Sequence, residues 1–216
     1  MLERVNSGEM GRPIDALLAD YAAGRLARPL HGLVAAHLAI KPDNRAYVAA
    51  LESVQAREFA EIEPVALNRR DAMLEKIFAA EAPRAVAARD DVIPAPLRAL
   101  AGLDFSAFNW KSKLPGMKEF QVKDPAVGEA VFYWIKPGRQ MPSHTHEGTE
   151  VTLVLKGGFS DAYGHYRRGD IAIADGDVDH TPRADDDEDC ICFAVTDAPL
   201  RLTGPLGRVL RLFTRH

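Results

Sequence analysis

The sequence predicts an α+β protein in which a small bundle of about four helices precedes a β-barrel or sandwich. Apolar residues recur at helical spacing through the first 82 residues, and from about residue 104 the apolar spacing changes to every second residue. The stretch between them has prolines, several charges and no clean period. We therefore expect a helical domain over residues 1–82, a linker over 83–103 and a β-barrel domain over 104–216.

Composition places the chain among ordinary globular proteins. Its 216 residues are 47% hydrophobic and 27% charged, and no stretch approaches the roughly 20 apolar residues of a membrane-spanning helix. The N-terminus lacks the apolar core of a signal peptide. The two closely spaced cysteines are too few for a disulfide framework. We expect a cytoplasmic protein, and its net charge of −4 argues against direct binding of nucleic acid.

Four segments of the first half are predicted as helices. The first, PIDALLADYAAGRL, starts near Pro13 and stops near Gly24, because proline favours a first helical turn and glycine a helix end. The others are RPLHGLVAAHLAIKP, DNRAYVAALESVQAREFAEI and RRDAMLEKIFAA. Four helices that total about 70 residues bury only a thin core, so such a bundle needs an additional stabilising contact or a partner.

Short β-rich runs dominate the second half. They are GEAVFYWIKPG, TEVTLVLKGG, DIAIADG and DCICFAVTD, separated by clusters of Gly, Pro and Asp. The acidic run ADDDED, from Ala184 to Asp189, is interpreted as a solvated loop between strands. No internal repeat is visible.

One stretch of the second half, GRQMPSHTHEGTEVTLVLKG, has the residue types of a metal site. Alternate residues of a strand face the same side, so His144 and His146 are expected to project together into the barrel. Glu150 is within reach across the following turn, and His180 arrives from a separate run. Three imidazoles and one carboxylate suit Zn, Fe(II), Mn, Ni or Cu. We predict one divalent metal on these four residues; the alternative is a hydrogen-bonded polar core.

The spacing of these residues resembles the first cupin motif, which here consists of Gly138, His144, His146, Glu150 and Gly157. The second cupin motif matches at Gly169 and His180. It departs at three positions where proline, glycine and asparagine are usual, namely Asp175, Asp177 and Ala184. The resemblance implies a small cupin β-barrel that holds its metal on His144, His146, Glu150 and His180.

The helical segments DALLADYAAGRL and LHGLVAAHLAIKPDNRAYVAALE resemble the zinc-binding anti-sigma domain of the ChrR family, in which a helical domain precedes a cupin. The resemblance extends from Asp15 to about Phe213. It implies an anti-sigma factor whose helical domain sequesters a sigma factor of the extracytoplasmic-function type. The cupin would then be the sensor, with Zn as the favoured metal and Fe, Mn or Ni as alternatives, and the signal would be oxidative or singlet-oxygen stress.

One feature of the ChrR family is not retained. In that family a His-x-x-x-Cys-x-x-Cys stretch and one earlier histidine bind a structural zinc in the helical domain. Here His37 is kept, but Lys41 and Asn44 stand at the cysteine positions and Arg12 at the earlier histidine. Because neither an ammonium nor an amide replaces a thiolate on zinc, we expect no N-terminal zinc. Packing of His37, Val34 and Tyr47, helped by polar contacts from Arg12, Lys41 and Asp43, is expected to take its place.

Two further sets of residues are candidates for function. Helix-in-groove binding needs apolar anchors, and the candidates for contact with the sigma factor are Leu17, Leu18, Tyr21 and Leu30. The same residues can equally form the core of the bundle. Cys190 and Cys192 share one strand face and are redox candidates, although free cysteines are commonly inert core residues.

Two readings from other classes stay open at this point. One is a cupin metalloenzyme, such as a dioxygenase, with a helical docking or dimerisation segment, and the other is a small-molecule-binding module. Strand parity places no clear catalytic acid or base inside the barrel beside the metal ligands. The match of the helical segments and the order of the domains favour the regulator, which is not an enzyme.

Overall fold

The structure, a computed structural model, describes residues 14–81, 92–198 and 200–203. Within these ranges five α-helices precede eleven β-strands. The helices are α1 (Asp15–Ala22), α2 (Arg28–Ile40), α3 (Arg45–Ala60), α4 (Arg70–Ala79) and α5 (Ala95–Ala101). The strands are β1 (Lys111–Leu114), β2 (Met117–Val122), β3 (Glu129–Ile135), β4 (His144–His146), β5 (Glu150–Lys156), β6 (Gly158–Asp161), β7 (Gly164–Arg167), β8 (Ile171–Ala174), β9 (Arg183–Ala184), β10 (Cys190–Thr196) and β11 (Leu200–Leu202).

The first four helices form where the sequence predicts them. Gly24 takes the left-handed conformation two residues after α1, with φ +66°, as expected of a glycine that ends a helix. Pro29 lies in the first turn of α2, where its missing N–H costs nothing. At the other end Lys41 N donates to His37 O, and Pro42 then opens a short 3-10 turn that leads into α3.

The predicted linker contains a helix. Residues 82–91 lie outside the described part of the chain, but α5 occupies the second half of the predicted linker and packs against α2. Leu97 is buried, and Gly32 of α2 provides the close approach: a Cβ there would lie 3.6 Å from Leu100 Cδ2 and 3.7 Å from Leu97 Cδ2. Seven residues contain only about two turns, too few for a helical period to stand out.

The strands form three antiparallel sheets among the described residues. One has six strands in the order β1-β2-β3-β10-β5-β8, and the smaller two are β11-β4 and β7-β6-β9. Strand β10 lies between β3 and β5, and all seven of its residues are buried. The predicted runs of β-rich sequence thus become β3, β5, β8 and β10, with β10 as the central strand.

The helical segment shares a hydrophobic core with the barrel. Leu33 and Val34 of α2 belong to the same buried cluster as Phe132 of β3 and Phe193 of β10. Helix α2 contacts both β5 and β10. The barrel sheet therefore completes the thin core of the helical bundle and supplies the additional stabilising contact that its small size requires.

The second half of α3, all of α4 and the segment between them lie outside this core. Val48 is the buried residue of α3, and no residue of α4 is buried. Large apolar side chains are exposed instead, including Met73, Ile77 and Phe78. None of the helices in the described ranges combines the length and the apolar character of a membrane span.

Candidate metal centre

Three histidines meet inside the barrel. His144 and His146 are the ends of β4 and are 2% and 1% exposed, as strand alternation predicts. His180 is 6% exposed and pairs with His144 in an isolated antiparallel bridge, in which each backbone N–H donates to the other residue's carbonyl. The three side chains can each offer one ligand atom within 4.8 Å of the others.

Glu150 flanks this triad from the start of β5. Its Oε1 lies 3.8 Å from His146 Nε2 and accepts a hydrogen bond from the Thr152 hydroxyl at 3.1 Å. Burial raises the pKa of the Glu150 carboxyl. The structure thus brings the four predicted ligands to one place, with the three imidazoles as the compact group and the carboxylate beside them.

The protonation state of His144 and His146 suits a metal. Burial lowers the pKa of both His144 and His146 to about 4. Both rings are therefore neutral near pH 7, and each has one nitrogen lone pair to offer. Neutral imidazole is the form of histidine that binds transition metals.

Hydrogen bonds on the far nitrogens orient two of the three rings. His144 Nδ1 donates to Pro142 O at 2.7 Å, and His180 Nδ1 donates to Asp161 Oδ2 at 3.1 Å. The other nitrogens turn inward, where His180 Nε2 lies 3.3 Å from His146 Nε2. Rings that donate outward and face one another inward are the usual arrangement of histidines around a metal.

Asp161 is a functional residue that the sequence reasoning missed. Its side chain is 4% exposed, at the end of β6, and it also accepts from the backbone N–H groups of Tyr163 and Gly164. The run DAYG carries a turn signal that explains those two bonds. No local pattern shows that the carboxylate also reaches His180, because that contact depends on how β6 packs beside the triad.

The fit of a metal is supported by one unpaired atom. His146 Nδ1 is buried and, among the described residues, has no hydrogen-bond partner. Because Nδ1 forms no hydrogen bond, this nitrogen does not orient the ring, and an orienting contact has to come through Nε2. An ion held at Nε2, on the side of His180 and Glu150, would supply it. The donor set of three imidazoles and a carboxylate matches Zn and its neighbours among the transition metals.

A cavity of about 310 Å³ opens beside the triad. Three tyrosines line it, namely Tyr133, Tyr163 and Tyr166. Burial raises the pKa of Tyr166 to about 12 and raises that of Tyr133 as well, so both hydroxyls stay protonated near neutral pH. The cavity therefore offers hydroxyl groups and apolar walls beside the triad.

The two cysteines are buried on β10, and Cys192 lines the same cavity. The neighbouring Cys190 thiol and burial hold the pKa of Cys192 well above its usual value. A thiol that stays protonated is a poor nucleophile. This environment agrees with the inert alternative more than with a redox role.

The predicted contacts with a sigma factor fall in or near the core. Leu18 is 1% exposed, and three others pack half-buried against the core: Leu17, Tyr21 and Leu30. The buried Leu18 side chain offers no surface to a partner in this structure. The helical period indicates that one face of a helix is apolar, but it does not indicate what covers that face. Here the apolar face of α1 packs on its own chain.

Comparison with known proteins agrees with this architecture. Residues 99–199 match the family described as the ChrR cupin-like domain. Over 208 residues the chain is 38% identical to the anti-sigma-E factor ChrR of Cereibacter sphaeroides, covering 93% of this chain and 96% of that protein. It also superposes, with a TM-score of 0.70 and 35% identity, on a chain from the crystal structure of Rhodobacter sphaeroides SigE in complex with the anti-sigma ChrR.

That superposition covers 87% of this chain and 98% of the other, so helical segment and barrel match together. The predicted fold, a helical bundle followed by a cupin barrel, is confirmed. Because the likeness extends over nearly the full length of both sequences, this chain belongs to the ChrR family.

Proposed function

We propose that the protein is an anti-sigma factor that sequesters an extracytoplasmic-function-type sigma factor through its helical segment. The observation that carries the proposal is the near full-length likeness to a chain from a complex of SigE with the anti-sigma ChrR. Sequestration needs a binding surface and no reaction, so the protein is not an enzyme. Because a sigma factor acts on RNA polymerase, the proposed function implies a cytoplasmic protein.

The exposed face of α3, α4 and their connection gives the proposal a physical surface. Eight large apolar side chains there are 57–88% exposed. They define the α3–α4 surface: Val54, Phe59, Ile62, Val65, Leu67, Met73, Ile77 and Phe78. A concentration of apolar side chains of this extent marks an interaction site on a folded protein.

Apolar anchors on helices are what a helix-in-groove interface uses. Phe59 and Phe78 are 73% and 82% exposed and are the two aromatic side chains of the α3–α4 surface. Large side chains of this kind supply most of the binding energy in protein interfaces. We therefore assign the contact with the sigma factor to the α3–α4 surface, in place of Leu17, Leu18, Tyr21 and Leu30.

We further propose zinc as the metal of the cupin and a sensory role for its site. His144, His146 and His180 would hold it, with Glu150 as the fourth ligand. A zinc ion with four protein ligands has no open position and acts as a structural or sensory centre. The neutral rings and the buried carboxylate support this assignment.

The function is tested by mixing the metal-loaded full chain with each extracytoplasmic-function-type sigma factor of the source organism, followed by size-exclusion chromatography with light scattering. We expect a 1:1 complex with one of them. Absence of a complex with every sigma factor, for a chain shown to be folded, would overturn the proposal.

A further inference from the structure

The C-terminal end of α2 is joined to the cupin barrel by a buried histidine. His37 is 3% exposed, and its Nδ1 donates to Gly169 O, 2.7 Å away in the turn between β7 and β8. Its other ring nitrogen, Nε2, lies 3.0 Å from Asn44 Nδ2 and accepts from that amide. Both nitrogens of His37 are therefore engaged, one across to the barrel and one within the helical segment.

A salt bridge lies beside this histidine. Lys41 Nζ pairs with Asp170 Oδ1, in the same turn that receives the hydrogen bond from His37. The Asp170 side chain is 16% exposed, and its other oxygen accepts from Arg167 N at 2.8 Å. The carboxylate is thus fixed by its own turn before it meets the lysine, which lowers the entropy lost in forming the pair.

The two parts also approach closely at Gly169. Its φ is +88°, a conformation that L side chains rarely adopt. A Cβ at this position would lie 2.8 Å from Ile40 Cγ2 and 2.8 Å from Lys41 Cγ. Only glycine permits both the turn and the contact, so the shape of the turn is matched to the end of α2.

The same turn leads directly into a strand that lines the cavity beside the histidine triad. Gly169 N donates to Val154 O at 2.8 Å, and β8 begins at Ile171. Strand β8 pairs with β5 so that Ala174 lies opposite Glu150. The end of α2 is therefore attached to the strand pair that carries the carboxylate beside the histidine triad.

We propose that His37, Lys41 and Asn44 form a metal-free clasp, which fixes the helical segment to the β7–β8 turn of the cupin. The donors at these positions are one imidazole, one ammonium and one amide. An ammonium has no lone pair, and both nitrogens of the imidazole already have partners. The residues present do not fit zinc.

The attachment is tested in the full chain by Gly169→Ala. The new methyl group collides with Ile40 and Lys41, so hydrogen–deuterium exchange of the α2 amides is expected to rise about tenfold or more. Gly102→Ala is the matched control: its φ is +69°, which gives comparable backbone strain, and no atom lies within 4 Å of the added Cβ. Equal exchange of α2 in both variants would overturn the clasp.

Lys41→Glu provides a second variant that leaves the turn intact. It places like charges at the salt bridge, and faster exchange of α2 is expected, whereas the same change at the exposed Lys123 should leave α2 unaffected. Unchanged exchange in Lys41→Glu would contradict the clasp.

Whether the clasp binds zinc is tested separately, by measuring the metal content of the protein. The full-length variant His144→Ala/His146→Ala is dialysed first with zinc and then against metal-free buffer. It is expected to retain no zinc. Retention of one equivalent that disappears on adding His37→Ala would overturn the proposal. None of these readouts involves a sigma factor, so the clasp can fail while the anti-sigma function stands, and the reverse.

Discussion

Asp161 shows how a residue outside the predicted ligand set can orient one of the candidate ligands. Its carboxylate fixes the tautomer and the direction of the His180 ring through the hydrogen bond at Nδ1. Replacement by asparagine can present an N–H to a nitrogen that already carries a proton. We expect Asp161→Asn to weaken zinc binding by about 10- to 100-fold, measured by competition with a chromophoric chelator.

A matched control exists in the same barrel. His165 and Asp185 form a similar pair at 2.8 Å, but it is partly exposed and stands apart from the triad. Asp185→Asn should leave zinc affinity unchanged. If Asp161→Asn and Asp185→Asn bind zinc equally well, the orienting role of Asp161 is wrong.

The lowered pKa values of His144 and His146 predict a pH-dependent stability of the metal-free protein. His144 and His146 have pKa values of about 4 in the folded chain and about 6.5 when unfolded. Between these values the unfolded chain binds more protons, so stability is lost as pH falls from about 6.5 to 4. The upper bound is roughly 3 kcal/mol for each histidine.

The measurement is urea unfolding of chelator-treated protein at pH 7, 5.5 and 4.5. Glu150 acts in the opposite direction, because its raised pKa makes the folded state bind protons more readily. The variant His144→Gln/His146→Gln separates the two effects: its stability should fall less over this range. An identical pH dependence in wild type and variant would contradict the assignment.

At the residue scale, the sequence could predict what strand alternation and motif spacing control. His144 and His146 follow from the period of a strand, and Glu150 and His180 from the resemblance to cupins. Asp161 could not be predicted, since its role depends on contact between β6 and a residue 19 positions later in the chain. The role of Leu18 as core residue or anchor stayed open, because a helical period is the same for a core face and a docking face.

At the scale of elements, the first four helices divide into two pairs with different roles. Helices α1 and α2 place their apolar faces in the core, whereas the α3–α4 surface is exposed. Periodicity located these helices and did not locate their partners. Helix α5 was missed because it is short and begins among prolines that also suit a linker.

This division predicts a large effect of one truncation on stability and a negligible effect of another. Leu18→Ala removes a buried side chain and should lower the free energy of unfolding by about 2–5 kcal/mol. Phe78→Ala removes a side chain that is 82% exposed and should change it by less than about 0.5 kcal/mol. Urea unfolding of both variants measures the difference, and a large loss in Phe78→Ala would mean that α4 packs on the chain.

At the scale of the whole molecule, the barrel both contains the histidine triad and supports the helical segment. Phe132 and Phe193 complete the core under α2, and the β7–β8 turn holds its end. The sequence predicted that so small a bundle needs an additional stabilising contact, but it did not show that the cupin supplies this contact. That contact joins residues 132 positions apart, beyond the reach of any local pattern.

The central claim is that this chain silences a sigma factor through the α3–α4 surface. The most direct test titrates the metal-loaded full chain into transcription by RNA polymerase with the partner sigma factor, and compares wild type with Phe59→Asp/Phe78→Asp. Leu103→Asp, which changes an apolar side chain 44% exposed outside this surface, is the control.

We expect wild type and Leu103→Asp to abolish transcription at about one equivalent, and the double variant to need at least about tenfold more, because buried aromatic anchors contribute about 2 kcal/mol or more each. Equal inhibition by all three proteins, or no inhibition by wild type, would contradict the account.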